Sequence, residues 1–146
     1  MKTLLTIFTL VFTVMFSSTS WGEWTKVGEN VDGNTFYVDF ERIRKHDGYV
    51  YFWFLSDYLK PLTDSMLLSS KRYHQVDCKS FGFKVLSYVL HKQSMGRDIG
   101  ETAEPHNKKW RYPRPNSVNE TVLKKVCSRW VRRNSTPSKL RGGFLS

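Results

Sequence analysis

Between residues 24 and 90 the chain breaks into short runs rich in β-branched and aromatic residues, separated by clusters of Asn, Asp, Gly and Pro. Such runs read as strands and such clusters as turns, because Gly, Asn and Asp reach left-handed backbone conformations that other residues avoid. The pattern predicts strands at 24–28, 35–40, 49–58, 66–77 and 81–90. Turns are expected at 30–34 and at Asp47-Gly48, and the polar run from Glu41 to Lys45 reads as one helical turn. Lys60, Pro61 and Asp64 should end the third strand, since proline has no N–H to give to a sheet. This spacing is that of a meander, so the sheet is expected to be antiparallel. Residues 91–109 show no period and read as a long loop, and Trp110 to Tyr112 as a short edge strand.

The clearest helix start is at Ser117. A serine there can cap the first turn, and Glu120 three residues on completes a capping box. Val118, Val122, Leu123, Val126, Cys127 and Trp130 then fall on one stripe at helical spacing. The helix is expected to run to Val131 or Arg132 and to lie on the sheet.

The strand at 49–58 is unusual. Its even face carries Val50, Phe52, Phe54, Ser56 and Tyr58, and its odd face Tyr49, Tyr51, Trp53, Leu55 and Asp57. Both faces are largely apolar, whereas a strand with one wet side alternates. One helix covers one side of a small sheet, so the Tyr49, Tyr51, Trp53, Leu55 face needs another cover. The loop at 91–109 with the Trp110 segment is one reading. A second copy of the chain, or a ligand, is the other, and these four residues are the candidate interface. Tyr and Trp suit such faces because each joins a large apolar body to a polar tip.

Residues 1–22 read as a secretory signal peptide. Lys2 is the positive start, Leu4 to Phe16 form a mostly apolar run, and Ser17 to Gly22 are small apart from Trp21. The apolar run is shorter than the roughly 20 residues a membrane span needs, and no later stretch replaces it. The expected address is therefore the periplasm, the outer surface or the medium. Export changes the meaning of Cys78 and Cys127, the only two cysteines. In an oxidising compartment they can pair, the alternative being two buried thiols. At the other end, residues 128–146 carry five basic residues and no acidic one. Residues 132–146 read as a disordered basic tail fitted to contact anionic surfaces, within a chain whose net charge is +10. That leaves residues 23–131 as the single folded domain.

Catalytic patterns are missing. There is no Gly-rich phosphate loop, no zinc-protease helix motif and no nucleophile elbow. His46, His74, His91 and His106 are scattered, and each reads as an exposed polar residue; His74 with His91 is the one conceivable acid–base pair.

An ordered set of motifs gives the chain a likeness. Glu23-Trp24 is followed by Asp32-Gly33-Asn34-Thr35-Phe36-Tyr37-Val38-Asp39 and Arg42-Ile43-Arg44-Lys45. Tyr51-Phe52-Trp53-Phe54-Leu55-Ser56-Asp57-Tyr58 and Asp77-Cys78-Lys79 come next, then Trp110-Arg111-Tyr112-Pro113, Asn116-Ser117-Val118 and Leu123-Lys124-Lys125-Val126-Cys127. This order and spacing, from Glu23 to Cys127, resembles the bacterial surface-adhesin protein E-like domain. The resemblance implies an α+β fold: a twisted antiparallel sheet of about five to six strands, a C-terminal helix packed on one face, and a Cys78–Cys127 bridge. It implies an exported, non-catalytic binding protein with a protein or glycan ligand outside the cell or in the envelope. The family's type member dimerises, binds vitronectin, laminin and plasminogen, and also binds haem, so a homodimer and haem are family-level expectations. It is lipid-anchored, and this chain lacks a lipidation cysteine directly after its apolar run. No binding residue carries over by motif. Two other readings stand beside this one: a periplasmic structural or inhibitor protein with an endogenous partner, and a secreted hydrolase of an acidic polymer using the histidine pair.

Overall fold

A computed structural model describes residues 23–62 and 64–134. The expected signal peptide and residues 135–146 of the expected tail lie outside the described residues. Seven strands form one antiparallel sheet: β1 (Trp24–Glu29), β2 (Thr35–Asp39), β3 (Arg44–His46), β4 (Tyr49–Leu62), β5 (Leu67–Asp77), β6 (Gly82–His91) and β7 (Glu101–Ala103). Among the described residues one helix, α1 (Val118–Asn134), follows. The main path across the sheet is β1-β2-β4-β5-β6-β7. β2 and β3 share the same edge of β4, end to end: Val38 pairs with Phe54 and Arg44 with Tyr51. The α+β fold expected from the sequence is therefore present, with one or two strands more than expected.

The differences have local causes. Glu41 to Lys45 does not make a helical turn. Asp39, itself buried, caps a tight turn by accepting N–H bonds from Glu41 (3.2 Å) and Arg42 (3.1 Å), and Arg44 to His46 then joins β4. Asp47 and Gly48 both take positive φ, the conformation of the two-residue turn that suits the twist of a hairpin. β4 continues through Pro61 instead of ending before it. The ladder with β5 is already interrupted after Asp57 and resumes only at Leu62, so proline's missing N–H costs no pairing there. The 91–109 segment contains β7 and a single 3-10 turn at Ser94–Gly96. Trp110 to Tyr112 supplies one isolated bridge, Phe83 to Arg111, rather than a strand.

The even face of β4 holds the core. Val50, Phe52 and Phe54 are buried with Val38, Phe40, Val76 and Phe83, and Val122, Leu123 and Val126 of α1 close over them. Cys78 is bonded to Cys127, with 5.6 Å between their Cα atoms, so the turn after β5 is tied to the middle of the helix. The capping box is formed. Ser117 Oγ accepts the Glu120 N–H (3.2 Å), and the Glu120 carboxylate accepts the Asn116 N–H (2.8 Å), one residue earlier than the usual return bond. Ser117→Ala is expected to lower unfolding free energy by about 1 kcal/mol, read by urea melts. The helix runs to Asn134, past the expected stop at Val131 or Arg132, so the first residues assigned to the tail are helical.

Candidate functional site

The odd face of β4 is the one that α1 does not cover. Register places Tyr51 opposite Gln75, Trp53 opposite Tyr73, Leu55 opposite Lys71 and Asp57 opposite Ser69. Its two ends are covered differently.

At one end, Trp110 lies against Tyr49 (ring centroids 5.5 Å apart), and the Lys84 ammonium sits 4.8 Å above the Trp110 ring. At the other, residues 92–100 cross the strands on a set of polar bonds. Asp57 accepts bonds from Ser94 Oγ (2.9 and 2.8 Å) and from the Met95 N–H (2.6 Å). Ser69 Oγ donates to the Gln93 carbonyl (2.6 Å) and accepts from the Gly96 N–H (2.8 Å). Lys71 donates to the Gly96 carbonyl (2.9 Å). His91 Nδ1 lies 3.0 Å from Asp98, which also accepts the Lys92 N–H (3.1 Å). Gly96 and Gly100 both have positive φ, and a Cβ on either would collide with the side chains of Lys71 or His91. This loop therefore needs glycine twice to lie so close to the sheet.

Between the two covers runs a ridge of half-buried rings: Tyr51, Trp53 and Tyr73. Tyr73 touches both neighbours, at 6.1 Å from Tyr51 and 5.0 Å from Trp53. Burial, then Tyr51, raises the Tyr73 phenol above its ordinary pKa, so it stays protonated. Of the four candidate interface residues, Tyr49 is half-buried against Trp110, Tyr51 and Trp53 form the ridge, and Leu55 is wholly buried within the chain. Tyr73 belongs with the ridge and was not foreseen. It joins the ridge because the register of β4 with β5 sets it opposite Trp53.

The histidine pair does not form. His74 pairs on the even face with Phe52, among the rings of Phe52, Phe54 and Phe83, at 5.3 to 5.6 Å. His91 pairs with Ser69, on the odd face. The sheet separates them. Both are also buried, contrary to the expectation of exposed histidines, because each falls on an inward position of its strand. Burial, then the Arg72 charge, pushes His74 down to about 3, so it is neutral and neither of its nitrogens finds a partner. Among the described residues no group of three His, Cys, Asp or Glu side chains is placed to hold a metal, and no helix is long and apolar enough to cross a membrane.

The sequence profile of a family described as Surface-adhesin protein E matches residues 24–128. The fold is similar to that of Haemophilus influenzae protein E. One solved structure matches with a TM-score of 0.56 at 16% identity, covering 77% of this chain and 89% of that one. A second crystal form matches with a TM-score of 0.55 at 16% identity, covering 76% and 91%. No curated protein sequence matches.

Proposed function

Because the chain belongs to the surface-adhesin protein E family, we propose that it acts as an exported, non-catalytic binding protein that engages a macromolecule through the Tyr51, Trp53 and Tyr73 ridge. One observation carries this reading. The odd face of β4 is covered by its own chain at both ends, yet its aromatic middle stays half-open. Large rings on a rigid sheet lose little conformational freedom on binding, and such residues supply most of the energy at protein interfaces. A protein or glycan outside the cell or in the envelope is the proposed ligand.

A homodimer uses the same surface if the ridge is self-complementary. The family supports an exported protein, and the signal peptide read at residues 1–22 gives the route. The hydrolase reading loses its acid–base pair, since His74 and His91 lie on opposite faces.

The test is truncation of the ridge. Trp53→Ala and Tyr73→Ala are each expected to weaken ligand capture by about 2 kcal/mol, roughly 30-fold, as truncation of a central aromatic does. Binding to immobilised matrix or envelope fractions, with circular dichroism to show an intact fold, makes the measurement. Undiminished capture by both variants would reject the ridge. Light scattering of the same proteins reports self-association: dimers that dissociate in the variants place the second copy on the ridge.

A further inference from the structure

Arg72 lies on the helix-bearing face of the sheet, opposite to the aromatic ridge. Register pairs it with Phe54 on one side and Tyr88 on the other. Its guanidinium sits 4.8 Å from the centre of the Phe54 ring, and one terminal nitrogen donates to Ser56 Oγ. Ser56 is fully buried. The Nε atom is shut off from solvent and has no hydrogen-bond partner.

No carboxylate side chain neutralises this cation. All 13 acidic residues of the chain fall within the described residues, and the ion pairs seen among them, to Lys26, Arg42, His46, His91, Lys108 and Lys124, do not include Arg72. Its neighbours with ionisable groups are the phenols of Tyr58 and Tyr88 and the neutral ring of His74, none of them a carboxylate. Tyr58 is in turn bonded to Ser70, 2.8 Å between the oxygens, on the same face. A guanidinium withdrawn from water without a counter-charge is strongly unfavourable, and such groups are otherwise found paired. Arg72 as a whole is only half-buried, so the side chain is not sealed from solvent.

We propose that Arg72, ringed by Ser56, Tyr58, Ser70 and Tyr88, is the binding site for an oxyanion, a carboxylate or phosphate group. The chemistry fits. Guanidinium offers a planar set of N–H donors matched to oxyanion edges, and the flanking hydroxyls can donate to the remaining oxygens. The site lies on the opposite face from the ridge and does not rest on the ridge's role.

The experiment is a thermal melt of the purified, disulfide-intact protein, with chloride exchanged at constant ionic strength for inorganic phosphate in one series and acetate in another. The midpoint is expected to rise saturably with at least one anion, because a ligand of the folded state alone stabilises it. A response to phosphate alone marks a tetrahedral ligand group; a response to acetate alone marks a carboxylate. Arg72→Met is expected to weaken the apparent affinity by tenfold or more. Equal responses in the two proteins, or none in either, overturn the proposal. If Arg72→Met does not fold, the Arg72 Nε–H resonance of the native protein decides the matter. It should shift saturably with the anion, and a resonance that stays in place overturns the proposal.

Discussion

Replacing Cys78 and Cys127 together by alanine is expected to lower unfolding free energy by about 4 kcal/mol. The two residues are 49 positions apart, so the bridge closes a loop spanning β6, β7 and the start of α1. Opening it restores that freedom to the unfolded chain, while the folded sheet keeps its ladders. For a domain of this size a loss of that order is roughly 15–30 °C in melting midpoint. The helix should feel it first. Among the described side chains of α1, Val122, Leu123 and Val126 are completely buried, Val118 packs partly against the core and Arg129 lies 4.2 Å from the centre of the Phe40 ring, so the helix rests on a small contact that the bridge reinforces. Hydrogen exchange in the double variant should therefore lose protection in α1 before β4 and β5. Urea melts of wild type with and without reductant, beside the double variant, make the comparison. A reduced wild type that melts like the oxidised protein would remove the bridge from any account of stability. The same result would matter for location, because a protein stabilised in this way has its full stability only where thiols are oxidised.

How much of this was legible in the sequence follows from which forces are local. The Asp47-Gly48 turn, the Ser117 cap and the two-faced apolar run in β4 are set by neighbouring residues, and each stands where the pattern placed it. β3 was invisible because Arg44, Lys45 and His46 are exposed and polar; they are extended only because β4 offers an edge. The loop at 92–100 was read only as an irregular segment. Its anchors, Asp57 to Met95 and Ser69 to Gly96, join residues far apart in sequence, and no periodicity announces such bonds. The site was half-legible for the same reason. Tyr51 and Trp53 stand out in one strand, but the exclusion of Leu55 and the recruitment of Tyr73 depend on what crosses above and what pairs beside. Histidine was the least legible residue, since its sequence position does not separate a buried neutral ring from an exposed one.

That neutral ring gives the second large effect, a loss of stability on mild acidification. His74 has a folded pKa of about 3 against an ordinary value of 6.5, the shift arising first from burial and then from Arg72. The folded protein therefore refuses a proton that the unfolded chain accepts. Above about pH 6.5 both states are neutral at this residue and its contribution is whole. Below that, the unfolded state binds the proton and gains stability, so the fold loses about 1.4 kcal/mol per pH unit until the folded ring itself titrates near pH 3. At pH 5 the loss is about 2 kcal/mol, a large part of the net stability of a small domain. Asp77 and Glu120 are held below their ordinary values by hydrogen bonds, so their contributions fade only at lower pH, through the carboxylate range. They are common to wild type and variant and cancel in the difference. His74→Leu removes the titration and two unpartnered nitrogens while keeping the volume among Phe52, Phe54 and Phe83 nearly filled. The variant is expected to match or exceed wild type at neutral pH and to exceed it by about 2 kcal/mol at pH 5, measured by urea unfolding across that range. Parallel pH profiles in the two proteins would refute the assignment. The consequence reaches the ridge. Tyr73 adjoins His74 in β5, so acid that unsettles the core at His74 loosens the strand that carries Tyr73, and ligand capture by wild type should fall with pH more steeply than capture by His74→Leu.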